Sequence, residues 1–157
     1  MRVESFTSTN GLTRYILVDS SGVPVEEVLR FLRFKDNFGR AGNTLMAYCF
    51  HLKYSFEYLE FIGMLFLQIG MDELAGFIRW LQNNHRQKKI MSFPAATVST
   101  CSAQTINVYL STVYAFYDYL SRHEEYRLRL SDKLTRTIMG SRRGFKDFLY
   151  HINRTRQ

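Results

Sequence analysis

The sequence contains few residues that interrupt helices or cross-link small proteins. Only two of its 157 residues are Pro, two are Cys and one is Trp. Cys49 and Cys101 lie far apart, so they form neither a metal-binding motif nor a disulfide framework. A reducing compartment, the cytoplasm, is therefore expected. With so few prolines and several long periodic stretches, the chain is expected to be mainly helical.

Long hydrophobic runs are also missing. The longest, residues 61–69, is too short to span a bilayer and is expected to lie in the core. The N-terminus lacks the charged and then apolar segment of a secretory signal. At 157 residues, with 46% hydrophobic and 22% charged residues, the chain has the composition of one soluble globular domain.

The motifs of common enzymes are absent. There is no glycine-rich phosphate loop, no nucleophile elbow and no His/Cys set at metal-ligand spacing, and the four His are scattered. We therefore predict no metal and no cofactor. One short match, the H-x-x-R of His151 to Arg154, is a pattern that arises often by chance.

Positive charge is plentiful and concentrated. The net charge is +7, and residues 1–121 hold 11 Lys/Arg against 10 Asp/Glu, whereas residues 122–157 hold 10 against 4. A local basic cluster also occurs at residues 85–89. A basic end is often only a solvated tail, but it equally favours attraction to a polyanion such as DNA.

A helical pattern occurs twice in the sequence. Residues 44–59 and 105–120, which are 61 positions apart, both fit T-x-x-x-Y-x-x-x-(L/V)-x-x-x-(F/Y)-(E/D)-Y-L. The shared Leu, Phe and later Tyr positions are expected to be core. A Thr at a helix start, with Tyr one turn on, presents hydroxyl and backbone N–H groups that suit an anion. The alternative is that both Thr only cap helices and both Tyr are core residues.

Turn residues divide the chain into a hairpin and four helices. The hairpin turns at Asn10-Gly11, and a further turn follows at residues 19–22. Pro24 is expected to begin the first helix and Gly39 to end it. The next helices are expected at about 44–64, 73–83 and 102–125, and residues 84–100 are expected to form a loop. The predicted regions are a hairpin and turn (1–22), a helical domain (23–126) and a basic linker (127–157).

The two copies, from Asn43-Thr44 to Tyr58-Leu59 and from Ser102 to Leu120, resemble the N-terminal core-binding domain of tyrosine recombinases, the phage integrases. The segments Ile16 to Val25 and Gly140 to Ile152 are similar to integrases of transposons and related mobile elements. The resemblance covers nearly the whole chain. It implies an all-α fold, a four-helix SAM-like orthogonal bundle preceded here by the short β-hairpin.

In that family this domain clamps duplex DNA opposite a separate catalytic domain, and other recombinase protomers assemble on the same DNA. The resemblance therefore implies DNA, a catalytic domain and further protomers as partners, and no membrane. The family's catalytic residues need a region longer than this chain's tail. His151 falls in the linker of the resemblance, and none of the ten Tyr is assigned as a nucleophile. The chain is expected to be an excised or truncated part that binds DNA without cutting it.

The candidate DNA-binding residues are polar groups near the two Thr positions and basic residues elsewhere. They are Asn43, Thr44, Lys53, Arg86, Lys88, Lys89, Gln104, Thr105, Asn107, Ser111, Arg142 and Arg143. Most of these groups suit the phosphate backbone, so modest base specificity is expected. A second hypothesis is a small helical module that binds a protein partner through its Tyr and Phe side chains. A third, an enzyme acting alone, lacks a constellation of catalytic residues.

Overall fold

A computed structural model describes residues 1–90 and 102–122, with side chains for 1–83 and 102–122. An antiparallel hairpin of β1 (Arg2–Thr7) and β2 (Thr13–Val18) precedes four helices. These are α1 (Glu26–Asn37), α2 (Gly42–Ile62), α3 (Met71–Ile90) and α4 (Ala103–Ser121), with a 3-10 turn at Phe66–Gln68. The predicted hairpin and four helices are therefore confirmed.

The hairpin is set by its turn residues. Its register pairs Arg2 with Val18 and Thr7 with Thr13. Gly11 has a φ of 78° and donates its N–H to the Ser8 carbonyl at 2.9 Å, so the Asn-Gly pair lies in the turn as predicted. A bidentate ion pair, with Arg14 Nε 2.6 Å and Nη2 2.8 Å from the two Asp36 oxygens, ties β2 to α1.

The start of α1 differs from the prediction. Pro24 is not the first helical residue, because it forms an isolated β-bridge with Val18. The N–H of Val25 then bonds the Leu17 carbonyl at 2.9 Å, and the helix begins at Glu26. The end of α1 is as predicted, since Gly39 has a φ of 78° and its N–H bonds the Asp36 carbonyl at 2.8 Å.

The third helix is longer than predicted. It runs from Met71 to Ile90, so residues 84–90, expected in a loop, continue the helix. The reason is composition: Gln, Arg and Lys are good helix formers, and neither Gly nor Pro occurs between Gly76 and Pro94. The basic cluster at 85–89 therefore has a helical backbone.

The core is built by the repeated helices around Phe31 of α1. Phe31 is fully buried and contacts Tyr48, Phe116 and Tyr119 at centroid distances of 5.9, 5.6 and 5.7 Å. The Leu/Val and later aromatic positions of the repeat are buried in both copies, as predicted. They are Leu52, Phe56, Tyr58 and Leu59 in α2, and Val113, Tyr117, Tyr119 and Leu120 in α4.

The run at 61–69 is only partly core. Ile69 is buried, but Phe61 and Leu65 are 73% and 67% exposed, so the expectation was wrong for these two side chains. Both lie where the backbone turns out of α2, next to Gly63 with a φ of 68°. The Tyr117 hydroxyl donates to the Phe66 carbonyl at 2.7 Å and fixes this connection onto α4.

Candidate nucleic-acid interface

A groove lies between the N-terminal half of α2 and the middle of α4. Its volume is about 420 Å³. It is lined by Asn43, Thr44, Ala47, Tyr48 and His51 of α2 and by Val108, Ser111 and Thr112 of α4. The α2 residues recur at spacings of three and four, so they share one face of the helix. Two separate helices thus place amide and hydroxyl groups in the same groove.

The N-terminus of α2 opens beside this groove without a cap. The residue before it, Ala41, has no side chain that can accept a hydrogen bond, and the first turn contains no acidic residue. Gly42, Asn43 and Thr44 form that turn, and their backbone N–H groups have no intrahelical partner. The positive end of the helix dipole is therefore uncompensated by side chains, which suits an anion.

The N-terminus of α4 is built differently. Ser102 is its cap, since its Oγ accepts the Thr105 N–H at 3.1 Å and lies 2.8 Å from the Thr105 hydroxyl. Thr105 therefore takes part in closing the helix end, which is the capping alternative weighed from the sequence. The two Thr of the repeat consequently differ in role: Thr44 lines the groove, whereas Thr105 does not.

His51 joins the two helices at the floor of the groove. Its Nδ1 lies 2.8 Å from the Thr112 hydroxyl oxygen, and its ring lies 4.4 Å from that of Tyr109 between centroids. Burial lowers the pKa of His51 below 6.5. The imidazole is therefore neutral at pH 7, and none of the lining residues is Asp, Glu, Lys or Arg.

The predicted site residues are only partly brought together. Asn43, Thr44 and Ser111 line the groove. The Ser111 hydroxyl donates to the Asn107 carbonyl at 2.8 Å, which leaves its oxygen lone pairs available to a donor. Gln104 is exposed and Asn107 half-buried on α4, outside the groove lining.

Lys53 lies further along α2 and already has a carboxylate partner. Its Nζ is 3.5 Å from Glu57 Oε1 and 5.7 Å from the Tyr54 ring centroid. The backbones of Arg86, Lys88 and Lys89 belong to α3, and their side chains lie outside the described residues. Arg142 and Arg143 lie outside the described residues altogether, as does the H-x-x-R that begins at His151.

The candidate set derived from the sequence omitted His51 and Thr112. Their positions differ by 61, the same spacing as the repeat, so each is the counterpart of the other. This spacing was a signal that was available in the sequence. What it did not reveal is that the helices cross where these two counterparts meet.

The described residues offer little for metal or thiol chemistry. No group of three or more His, Cys, Asp or Glu within them is placed to hold a metal ion. Cys49 is fully buried, and burial raises the pKa of its thiol to about 12, which makes it a poor nucleophile. Among the described helices, none has both the length and the apolar character needed to cross a membrane.

Fold and groove together define a mainly helical structure whose groove presents neutral hydrogen-bonding groups. The chain is similar to transposase A from transposon Tn554 of Staphylococcus aureus, including the proteins of strains Mu50 and N315. Identity is 35% over 144 residues, which cover 90% of this chain. The chain spans 37% of the length of those curated relatives. No protein-family model and no solved structure matches the chain.

Proposed function

We propose that this chain binds duplex DNA as the core-binding domain of a transposon-type recombinase of the tyrosine recombinase family, with a SAM-like arrangement of its helices. One observation carries the proposal: Asn43, Thr44 and Ser111, chosen from two separate stretches of sequence, line one groove beside an uncapped helix end. The similarity to a transposase over 90% of the chain supports the same function.

The groove would hold a phosphate by neutral groups. The free N–H groups of the first turn of α2 would donate to phosphate oxygens, aided by the helix dipole. The exposed Asn43 amide and the half-buried Thr44 hydroxyl would add side-chain donors. Such contacts position the domain on DNA but do not read its sequence.

Charge would come from other parts of the chain. Lys53, Arg86, Lys88, Lys89, Arg142 and Arg143 are the proposed phosphate contacts, and Gln104, Thr105 and Asn107 the additional polar contacts on α4. Basic residues attract DNA over a distance, whereas the neutral groove acts only on contact. The two sets therefore differ in how their contribution depends on salt.

The domain would not cut DNA itself. In this proposal residues 1–22 form the hairpin and turn, residues 23–126 the DNA-binding domain, and residues 127–157 the linker to a catalytic domain. Strand breakage and rejoining would belong to that catalytic domain, and the bound protomers would assemble on the recombination site. Cytoplasmic localisation follows from the same function.

Titration of duplex binding against salt tests the proposal. Each phosphate neutralised by Lys or Arg contributes about 0.9 to the slope of log K against log salt, so the six proposed Lys and Arg contacts give a slope of about −5.4. Fluorescence anisotropy of a labelled duplex measures the slope. Absence of binding at about 50 mM salt would contradict the proposal, since the electrostatic contribution is large there.

One observation favours the alternative function, a protein-interaction module. Phe61 and Leu65 are 73% and 67% exposed at the connection between α2 and α3. Binding through such apolar side chains would weaken little with salt, in contrast to binding of DNA. Replacement of both by Ser would abolish capture of a protein partner and leave duplex affinity unchanged.

A further inference from the structure

Two exposed aromatic rings stand together at the C-terminal end of α1. Phe34 and Phe38 are one helical turn apart, with ring centroids at 4.7 Å, and their side chains are 38% and 73% exposed. Phe34 also rests against Tyr119 of α4, with 5.0 Å between centroids. Phe34 therefore packs against the core, while the Phe38 ring is exposed to solvent.

The helix end brings positive charge to these rings. After Gly39, with a φ of 78°, the backbone folds back so that the Arg40 N–H bonds the Lys35 carbonyl at 3.2 Å. Lys35 Nζ lies 5.8 Å from the Phe34 ring centroid and 5.5 Å from that of Phe31. Lys35 thus lies beside the Phe34 ring, and Arg40 follows Phe38 by two positions.

A third cation, Arg122, directly follows α4. Burial lowers the pKa of Lys35, and the positive charges of Arg40 and Arg122 act in the same direction. Asp118 is the carboxylate that opposes them, and it is already bonded to Arg122 at 3.1 Å. Three cations and one carboxylate leave local positive charge next to the exposed rings. We call Phe34, Lys35, Phe38, Arg40 and Arg122 the aromatic-basic patch.

We propose that the aromatic-basic patch binds unpaired nucleotides of DNA, with a base stacked on Phe38 and the neighbouring phosphates held by Arg40, Lys35 and Arg122. Bases stack on exposed aromatic rings, and the backbone follows adjacent positive charge, which is the combination found in single-strand binding proteins. The inference rests on the proposed DNA-binding function and adds a second class of substrate to it. The patch is separate from the groove, since none of its five residues lines that groove.

Charge selects this occupant over an apolar protein surface. A protein that covered Phe38 with apolar groups would have to desolvate Arg40 and Lys35 without pairing them. A nucleotide provides both a planar ring and a phosphate, so it satisfies the rings and the cations together. A protein partner is therefore an outcome of the test, not part of the proposal.

Anisotropy measurements on the 157-residue chain would compare three labelled DNA molecules: a continuous duplex, the same duplex with a gap of about five nucleotides, and an oligothymidylate. We expect the gapped duplex to bind more tightly than the continuous one. Phe38→Ala is expected to weaken binding to the gapped duplex and to oligothymidylate by about 5- to 150-fold, and to leave the continuous duplex unchanged.

Three further variants test whether binding requires an aromatic ring at position 38. Phe38→Leu keeps an apolar side chain without a ring face and is expected to behave like Ala, while Phe38→Tyr is expected to retain binding. Phe61→Ala is the matched control. Phe61 is as exposed as Phe38, at 73%, but lies at the C-terminal end of α2, outside the aromatic-basic patch. It is expected to change nothing.

The outcomes distinguish the aromatic-basic patch from the duplex-binding function. Equal affinity of the unaltered chain for gapped and continuous duplex, with no binding to oligothymidylate, overturns the proposal while the duplex-binding function stands. Binding to oligothymidylate that depends on Phe38, without any duplex binding, supports the proposal and contradicts the duplex function. Unchanged DNA affinities together with Phe38-dependent self-association in sedimentation would show that the patch is a protein contact and overturn it.

Discussion

His51 Nδ1 lies 2.8 Å from the hydroxyl oxygen of Thr112, and the two residues are 61 positions apart, which is the spacing of the repeated pattern. The Thr112 hydroxyl also donates to the Val108 carbonyl at 3.3 Å, within α4. With its proton directed there, the hydroxyl accepts the Nδ1–H of a neutral imidazole. The helices therefore contact each other through equivalent positions, at the floor of the candidate DNA groove.

This contact predicts a pH-dependent stability. Because burial lowers the pKa of His51 below 6.5, the unfolded chain binds a proton at higher pH than the folded chain does. The contribution of His51 is therefore fully present above about pH 6.5 and is lost as pH falls through the folded pKa. We expect the melting temperature of the protein to fall more steeply below pH 6.5 than that of a His51→Gln variant.

Thermal unfolding by circular dichroism at several pH values measures the difference. The other three His are common to both proteins, so their contributions cancel in the comparison. Parallel curves for the two proteins over this range would show that His51 titrates alike in the folded and unfolded chains.

The close approach of α3 to α2 predicts that the effect of replacing Gly76 depends on the residue at position 58. A Cβ on Gly76 would overlap the Tyr58 hydroxyl oxygen and lie 3.4 Å from Cζ. Tyr58 is only 6% exposed and is held between Phe77 and Trp80, at 5.5 and 5.8 Å between centroids, so its ring has little room to move. Gly76→Ala is expected to lower the free energy of unfolding by about 1–3 kcal/mol through overpacking.

The partner of this prediction is Tyr58→Phe, which removes the overlapping atom. In that background Gly76→Ala is expected to raise the free energy of unfolding by about 0.5–1 kcal/mol, since Ala is the better helix former. Urea unfolding of the four proteins gives the coupling. The same effect of Gly76→Ala in both backgrounds would contradict the steric explanation.

Local signals predicted most of the fold, and tertiary contacts decided the rest. Asn10-Gly11, Gly39 and Ser102 act through their own backbone geometry or capping, so the turn and the two helix ends were readable. The extension of α3 to Ile90 was not predicted, because Pro94 and the polar, basic composition of residues 84–100 indicated a loop, although Gln, Arg and Lys are good helix formers.

The candidate site shows the same division. Residues able to bond phosphate could be recognised near each Thr, but their convergence depends on where α2 and α4 cross. Ser102, three residues before Thr105, caps α4 by accepting the Thr105 N–H. Ala41, three residues before Thr44, has no side chain that can cap α2. The residue three positions before each Thr therefore decides whether that Thr takes part in a helix cap.

The basic tail is expected to act through salt-dependent attraction. Replacing both Arg142 and Arg143 by Ala is expected to weaken binding to all duplex sequences alike and to reduce the salt slope by about 1.8, or about 0.9 for each lost phosphate contact. The matched control is the double variant Arg2→Ala and Arg30→Ala, which removes the same charge from arginines already paired with Glu4 and Glu26. An unaltered slope for the tail variant would identify it as a passive linker.

The groove is expected to respond to a change that moves stability and affinity in opposite directions. Asn43 lies in the first turn of α2, where no acidic residue occurs, so Asn43→Asp would interact favourably with the helix dipole and raise the free energy of unfolding by about 0.3–1 kcal/mol. The same carboxylate would repel a phosphate in the groove and lower duplex affinity by about 5- to 20-fold. Asn10→Asp is the control: it adds the same charge at the hairpin turn, where the side-chain oxygen still accepts the Leu12 N–H at 3.3 Å. Thermal unfolding and anisotropy on the three proteins separate the two effects. A misfolded Asn43→Asp variant would lose both stability and duplex affinity. If the groove faces away from DNA, the variant would keep the duplex affinity of the unaltered protein.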